Sequence, residues 1–201
     1  MTDPSADPVG SADARPGPQP AQIVVPPPAA GHQRIRMVVA YDGSRFRGMA
    51  ENEGVPTVAG ALRDVFERVL GHRVELSVAG RTDAGVHAWG QVVSFDSTAD
   101  KADPERLARA VNRQCAPAIV ARDAAIAAPD FDARFSARAR RYRYTIVNRP
   151  VPDPFLAATA WWVPQPLGLN SLRLGCDALL GSHDFSSFCR RPKVAEGQEP
   201  V

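Results

Sequence analysis

Between Arg34 and Ile126 the spacing of apolar residues switches repeatedly between two periods, and this switching is what most restricts the fold. Ile35, Met37, Val39 and Tyr41 recur at every second residue, interleaved with Arg36, Val38 and Ala40, as on a half-buried strand. Asp42-Gly43 then signals a turn. From Thr57, a helix N-cap type, the period lengthens. Leu62, Val65, Phe66 and Val69 fall at i, i+3, i+4 and i+7 on one helical face, and Gly71 can end the helix. Val74, Leu76 and Val78 return to period two, and so do Val93 and Phe95 within Gln91 to Asp96. Asp103-Pro104 supplies the N-cap and first position of a second helix that turns Leu107, Ala110 and Val111 inward. Ile119 to Ile126 makes a fourth strand.

That order, β-α-β-β-α-β, is the ferredoxin-like (RRM-like) pattern of an α+β domain with an antiparallel sheet. A second unit of the same type then begins. Arg140 to Asn148 reads as a strand with Tyr142, Tyr144 and Ile146 on one face. Asn170 can cap a helix that buries Leu172, Cys176, Leu179 and Leu180 and is closed by Gly181, with Trp161-Trp162 in the core of this unit. The expected organisation is a Pro-rich disordered leader over 1–33, a first domain over 34–130, and an incomplete second domain over 131–201. The leader holds eight prolines and three glycines, and Arg190 to Val201 is polar and without pattern.

Composition narrows the class. No apolar run approaches the roughly 20 residues of a membrane helix, and the first residues lack the basic start and apolar stretch of a secretory signal. Cys115, Cys176 and Cys189 are odd in number and far apart, with no CxxC pair or zinc-finger histidine spacing. They read as buried small hydrophobes in a reducing cytoplasm, with no metal. The net charge of +2 hides a sorting along the chain: Ala133 to Arg149 holds six arginines (Arg134, Arg138, Arg140, Arg141, Arg143, Arg149) and no acid, which leaves 18 basic and 22 acidic residues elsewhere. An arginine block on a mildly acidic body points to an anionic partner, most often nucleic acid.

The connection between the second and third strands, Ala79 to Gly90, reads AGRTDAGVHAWG. It is long for a hairpin loop, and long ordered loops tend to be functional. Its glycines allow close backbone approach to a ligand. Between them stand one cation, Arg81, and one anion, Asp83. From composition alone, Asp83 also fits an Asx-turn and Arg81 its surface ion-pair partner. The glycines do not match GxGxxG, and no Walker lysine follows. His87, His183 and the Phe185/Phe188 pair read as structural.

Gly80 to Ala88 (GRTDAGVHA), followed by Gly90-Gln91-Val92, resembles the signature of the TruA family of tRNA pseudouridine synthases. Tyr41-Asp42-Gly43-Ser44, Phe131 to Ala137 (FDARFSA), Arg140 to Tyr144 (RRYRY), Leu179-Leu180-Gly181 and His183-Asp184-Phe185 resemble further family motifs in order, over roughly residues 34 to 191. The resemblance implies isomerisation of uridine to pseudouridine at positions 38–40 of the tRNA anticodon arm, without metal or cofactor. It implies Asp83 as the nucleophile and Arg81 as a catalytic partner that helps hold a flipped nucleotide. Tyr142 would stack on the target base. Phe131, Asp132, Ala133, Arg134 and Phe135 would form the RNA-facing substrate segment, with Arg134 on phosphate. It further implies a cytoplasmic homodimer in the full-length chain.

Two departures qualify the resemblance. Gly48-Met49-Ala50-Glu51-Asn52 stands where the family has Gly-Trp-Gln-x-Gln. The chain is also expected to stop short of the strands that complete the second unit, and of a basic residue that pairs with the aspartate in the family. A non-catalytic tRNA-binding fragment, or a remnant of a split synthase gene, is therefore the alternative expectation.

Overall fold

The computed structural model describes residues 23–188. The expectations for the first 22 residues of the leader, and for the tail from Cys189 onward, lie outside it. The chain divides into two compact units between Arg141 and Tyr142.

The first unit contains β1 (His32–Tyr41), α1 (Val58–Leu70), β2 (Ser77–Val78), β3 (Ala88–Thr98), α2 (Pro104–Gln114) and β4 (Ile119–Ile126). The sheet order is β2-β3-β1-β4, and every neighbouring pair is antiparallel. The two helices bury one face of this sheet. Ile35, Met37, Val39, Val93 and Phe95 from the strands meet Leu62, Phe66, Leu107 and Val111 from the helices, and the Phe66 and Phe95 rings stack at 4.4 Å. The helix boundaries follow from their caps. Thr57 accepts the Gly60 amide and Gly71 takes the left-handed conformation with φ 72°, while Asp103 accepts the Arg106 amide ahead of Pro104.

Three boundaries differ from expectation. The second strand shrinks to two residues, because the Val74 amide goes to the Glu67 side chain at 3.2 Å instead of to a ladder. Val74 is buried all the same. β3 is longer than expected and carries Ala88 to Gly90 into the sheet. β1 begins at His32, and the end of the leader is held to the body by a buried arginine. All five N–H donors of Arg34 are used: Nε and Nη2 on the two oxygens of Asp96 at 2.7 and 2.8 Å, and the remaining hydrogens on the carbonyls of Pro26, Pro129 and Phe131 at 2.9–3.2 Å. Asp96 holds this guanidinium above its ordinary pKa. Residues 129–133 are thereby part of the first unit, and Ala133 is buried with its amide on Ser94 Oγ at 2.9 Å.

The second unit departs further from its expected pattern. Its strand is confined to β5 (Ile146–Asn148), which pairs in parallel with β6 (Trp161–Val163), so two strands precede the helix α3 (Leu169–Asp177). The helix starts after Gly168, not Asn170, and has no side-chain cap. It buries no residue, Leu172 and Cys176 being exposed, and Leu179 and Leu180 beyond its end are exposed too, as are Trp161 and Trp162. The only buried residue described in this unit is Val163, so an amphipathic pattern is present without a core to receive it. Of the cysteines, Cys115 is half-buried against the first core, where burial raises its thiol pKa.

Candidate active-site loop

Residues 79–87 leave β2 and return into β3 at the end of the sheet where β1 finishes. The loop is fixed at three levels. At its base the Ala79 amide donates to Val92 O at 2.9 Å, and the buried Gln91 side chain bridges Gly80, accepting from its amide at 3.2 Å and donating to its carbonyl at 2.5 Å. The Arg140 guanidinium donates to Ala79 O from Nε at 2.9 Å and also from Nη2. A Cβ on Gly80 would sit 3.2 Å from that Nε.

The middle of the loop is held by the segment after β1. The Met49 amide donates to Thr82 O at 2.9 Å, and the hydroxyls of Thr82 and Tyr41 share a hydrogen bond of 2.7 Å. Met49 is itself fully buried, so the stretch that departs from the family pattern anchors the loop through backbone and core. The far side is pinned by Gly85 N–H on Phe46 O at 3.4 Å and by His87, whose Nδ1 lies 3.3 Å from the Gly43 amide and 3.1 Å from Asp42 Oδ1. The Ser44 amide, with its hydroxyl, holds the Asp42 carboxyl below its ordinary pKa. Close approach of the two segments requires glycine at two places. A Cβ on Gly43 would lie 2.0 Å from Val86 O, and one on Gly48, at φ +106°, would lie 2.9 Å from Thr82 O.

Asp83 and Arg81 stand exposed on this braced loop. Among the described residues, neither side chain makes a hydrogen bond or ion pair. The turn Asp83 enters is closed by backbone, with Val86 N–H on Asp83 O at 3.2 Å, while the Gly85 amide goes to Phe46. The carboxylate is thus not spent on an Asx-turn or on Arg81, the two ordinary uses open to it. An anionic oxygen on a braced backbone, without a partner among the described residues, can attack or stabilise an electron-poor carbon.

The other expected site residues separate into groups. Asp132 Oδ1 accepts from the Arg134 and Phe135 amides at 2.8 and 3.0 Å and from Ser77 Oγ at 3.0 Å, so it shapes the turn. Phe131 is half-buried and gives its carbonyl to Arg34. Ala133 is buried, Phe131 and Asp132 are half-buried, and Arg134 and Phe135 are exposed, the Arg134 guanidinium 5.4 Å over the Phe135 ring. Tyr142 is 81% exposed and belongs to the second unit. Of the arginine block, Arg140 is committed to Ala79 O, and Arg149 pairs with Asp153 at 2.5 Å. Reading the sequence for periodicity misses Tyr41, Gln91 and Met49 as braces of the loop. Gln91 leaves a signal, since it is a polar residue in phase with core positions Val93 and Phe95.

Comparison with known proteins agrees with the motif reading. The family model described as tRNA pseudouridine synthase matches residues 37–136, a span that holds the loop and all its braces except Arg140. Relatives named tRNA pseudouridine synthase A include one from Neisseria meningitidis serogroup B, 41% identical over 174 residues, which are 86% of this chain and 64% of the relative. One from Moorella thermoacetica is 42% identical over 158 residues, 77% of this chain and 63% of the relative. One from Geobacillus sp. is 40% identical over 158 residues, 78% and 63%. The chain thus spans somewhat less than two thirds of the length of these relatives. By the matched span, and by identities of 40–42% across most of its residues, the chain belongs to the tRNA pseudouridine synthase family.

Proposed function

We propose that this chain isomerises uridine to pseudouridine in tRNA, at positions 38–40 of the anticodon arm, with Asp83 as the nucleophile. The observation that carries the proposal is the Asp83 carboxylate, exposed and without a partner among the described residues on a loop held from three sides. The reaction breaks the bond between ribose C1′ and the base nitrogen, turns the base, and joins C1′ to base C5, whose hydrogen leaves as a proton. A carboxylate at the sugar face can bond to or stabilise C1′ while the base is free. Placement within about an ångström is essential to such chemistry, and the hydrogen bonds to Ala79, Gly80, Thr82 and Gly85 supply it.

The target lies in a stacked stem and must leave it, at a cost of a few kcal/mol. In this reading exposed Arg81 holds the displaced strand, Tyr142 stacks on the freed base, and Arg134 meets phosphate, beside the turn built by Phe131, Asp132, Ala133 and Phe135. The strand order β2-β3-β1-β4 around two helices supports a ferredoxin-like arrangement of the first unit. The apolar residues left exposed in the second unit, Leu172, Leu179, Leu180 and Trp161 among them, support a working enzyme in which this face is covered, as in a homodimer. A tRNA substrate would place the work in the cytoplasm.

The test uses the purified chain and an unmodified anticodon-arm transcript carrying tritium at uridine C5. Release of tritium to water, with pseudouridine in the digested product, supports the proposal. Tight binding of the transcript with no release over many hours would favour an RNA-binding role without turnover.

A further inference from the structure

We propose that Trp89, backed by Arg122, is a stacking platform for an unpaired base of the RNA substrate beside the candidate catalytic loop; this rests on the function proposed above. Tryptophan is seldom left open to water, yet Trp89 is 74% exposed. It follows the loop directly: Ala88, its neighbour, is the register partner of Tyr41, and Tyr41 holds Thr82 of the loop.

Two irregularities of the sheet create the platform. Along β1 and β3, Val39 opposes Gln91 but Tyr41 opposes Ala88, so Trp89 and Gly90 together face the single residue Ala40. On the other side of β1, Val38 opposes Asp123 and Val39 opposes Ala121, which leaves Arg122 as the extra residue. Bulges of this kind re-aim side chains and gather next to active sites. Here the two bulges flank β1 at neighbouring steps and deliver the two partners of one contact. The Arg122 guanidinium carbon lies 5.5 Å from the Trp89 ring centroid, within cation–π range.

The chemistry of the pair selects its partner. One guanidinium on an indole this exposed leaves ring surface for a second planar group, and the exposed cation adds attraction for phosphate. The nearest acid in sequence, Asp123, is paired with Arg36 at 2.8 Å, so it does not cancel that attraction. An aromatic face with an adjoining cation suits a nucleotide of a single strand, with tolerance for base identity. The strand in question is the one leaving the flipped uridine at Asp83.

The test measures binding of an unmodified tRNA anticodon stem-loop transcript on an Asp83→Asn background, so that turnover does not enter. Trp89→Ala should weaken binding about 5- to 150-fold, the range for one missing base stack, and Trp89→Phe should recover most of it. Arg122→Ala should weaken binding less and flatten its salt dependence. In the Asp83 enzyme, Trp89→Ala should raise KM with little change in kcat. The thermal melts of all three variants should stay near the parent, since both residues are exposed. Binding of Trp89→Ala within twofold of the parent overturns this inference alone. A parent chain that binds no RNA overturns the functional reading, and this inference with it.

Discussion

Replacing Gly43 by alanine tests whether the loop is positioned by the segment after β1. The added methyl would sit 2.0 Å from Val86 O and 2.5 Å from Val86 C. Both are backbone atoms, so no side-chain rotation relieves the contact. To reach even a tight 3.0 Å, the two segments must part by about 1 Å, and the strain of accommodating an extra methyl is about 1–3 kcal/mol. Parting them loosens the Gly43–His87 hydrogen bond of 3.3 Å and shifts the turn that Asp83 opens. A displacement of about 1 Å at a reacting group costs on the order of a hundredfold in rate. Gly43→Ala should therefore keep its fold, melt a few degrees lower, and release tritium from C5-labelled transcript about a hundredfold more slowly, with transcript binding nearly unchanged. Full activity with an unchanged melt would rule out this contact as the one that sets the loop.

Other consequences can be measured in parallel. Arg34→Leu removes five hydrogen bonds and leaves Asp96 without its partner. Because the Asp96 side chain is one third exposed, the loss should fall at the lower end of the range for a broken buried pair, about 3 kcal/mol, read by urea unfolding. The double variant with Asp96→Asn should lose less than the sum of the singles. Arg138 and Arg141 are exposed, and replacing both by alanine should reduce the slope of log affinity against log salt by about 0.7–0.9 for each phosphate no longer neutralised; an unchanged slope would exclude them from the RNA face. Arg140→Ala should act differently, lowering turnover through the base of the loop more than it lowers the salt slope.

The fold is legible in the sequence where burial enforces a period. In the first unit, Ile35, Met37, Val39 and Tyr41 face one core, and the caps at Thr57, Gly71 and Asp103 lie where their chemistry requires. The second strand is shorter than its pattern because Val74 and Leu76 pack on the core without joining a ladder. Periodicity at Leu172, Cys176, Leu179 and Leu180 marks a face suited to burial, but it does not say whether the described residues supply the other side. At the site, motif residues such as Asp83 and Arg81 are visible as isolated charges among glycines. Their support is not, because much of it is made by backbone amides of Met49 and Gly85, which leave no periodic trace, while Gln91 shows only as a polar residue in phase with the core.

Whether the Asp83 carboxylate carries the chemistry is best decided by comparing tritium release from C5-labelled anticodon-arm transcript by the parent chain and by Asp83→Asn. Asparagine keeps the size and hydrogen-bonding capacity of the side chain and removes only the anionic oxygen. The exposed side chain makes no contact among the described residues that the fold depends on, so melting temperature and transcript affinity should match the parent. Under those conditions release should fall by at least about a thousandfold. Release by Asp83→Asn within about tenfold of the parent would overturn the assignment and return Asp83 to the role of a loop-shaping residue.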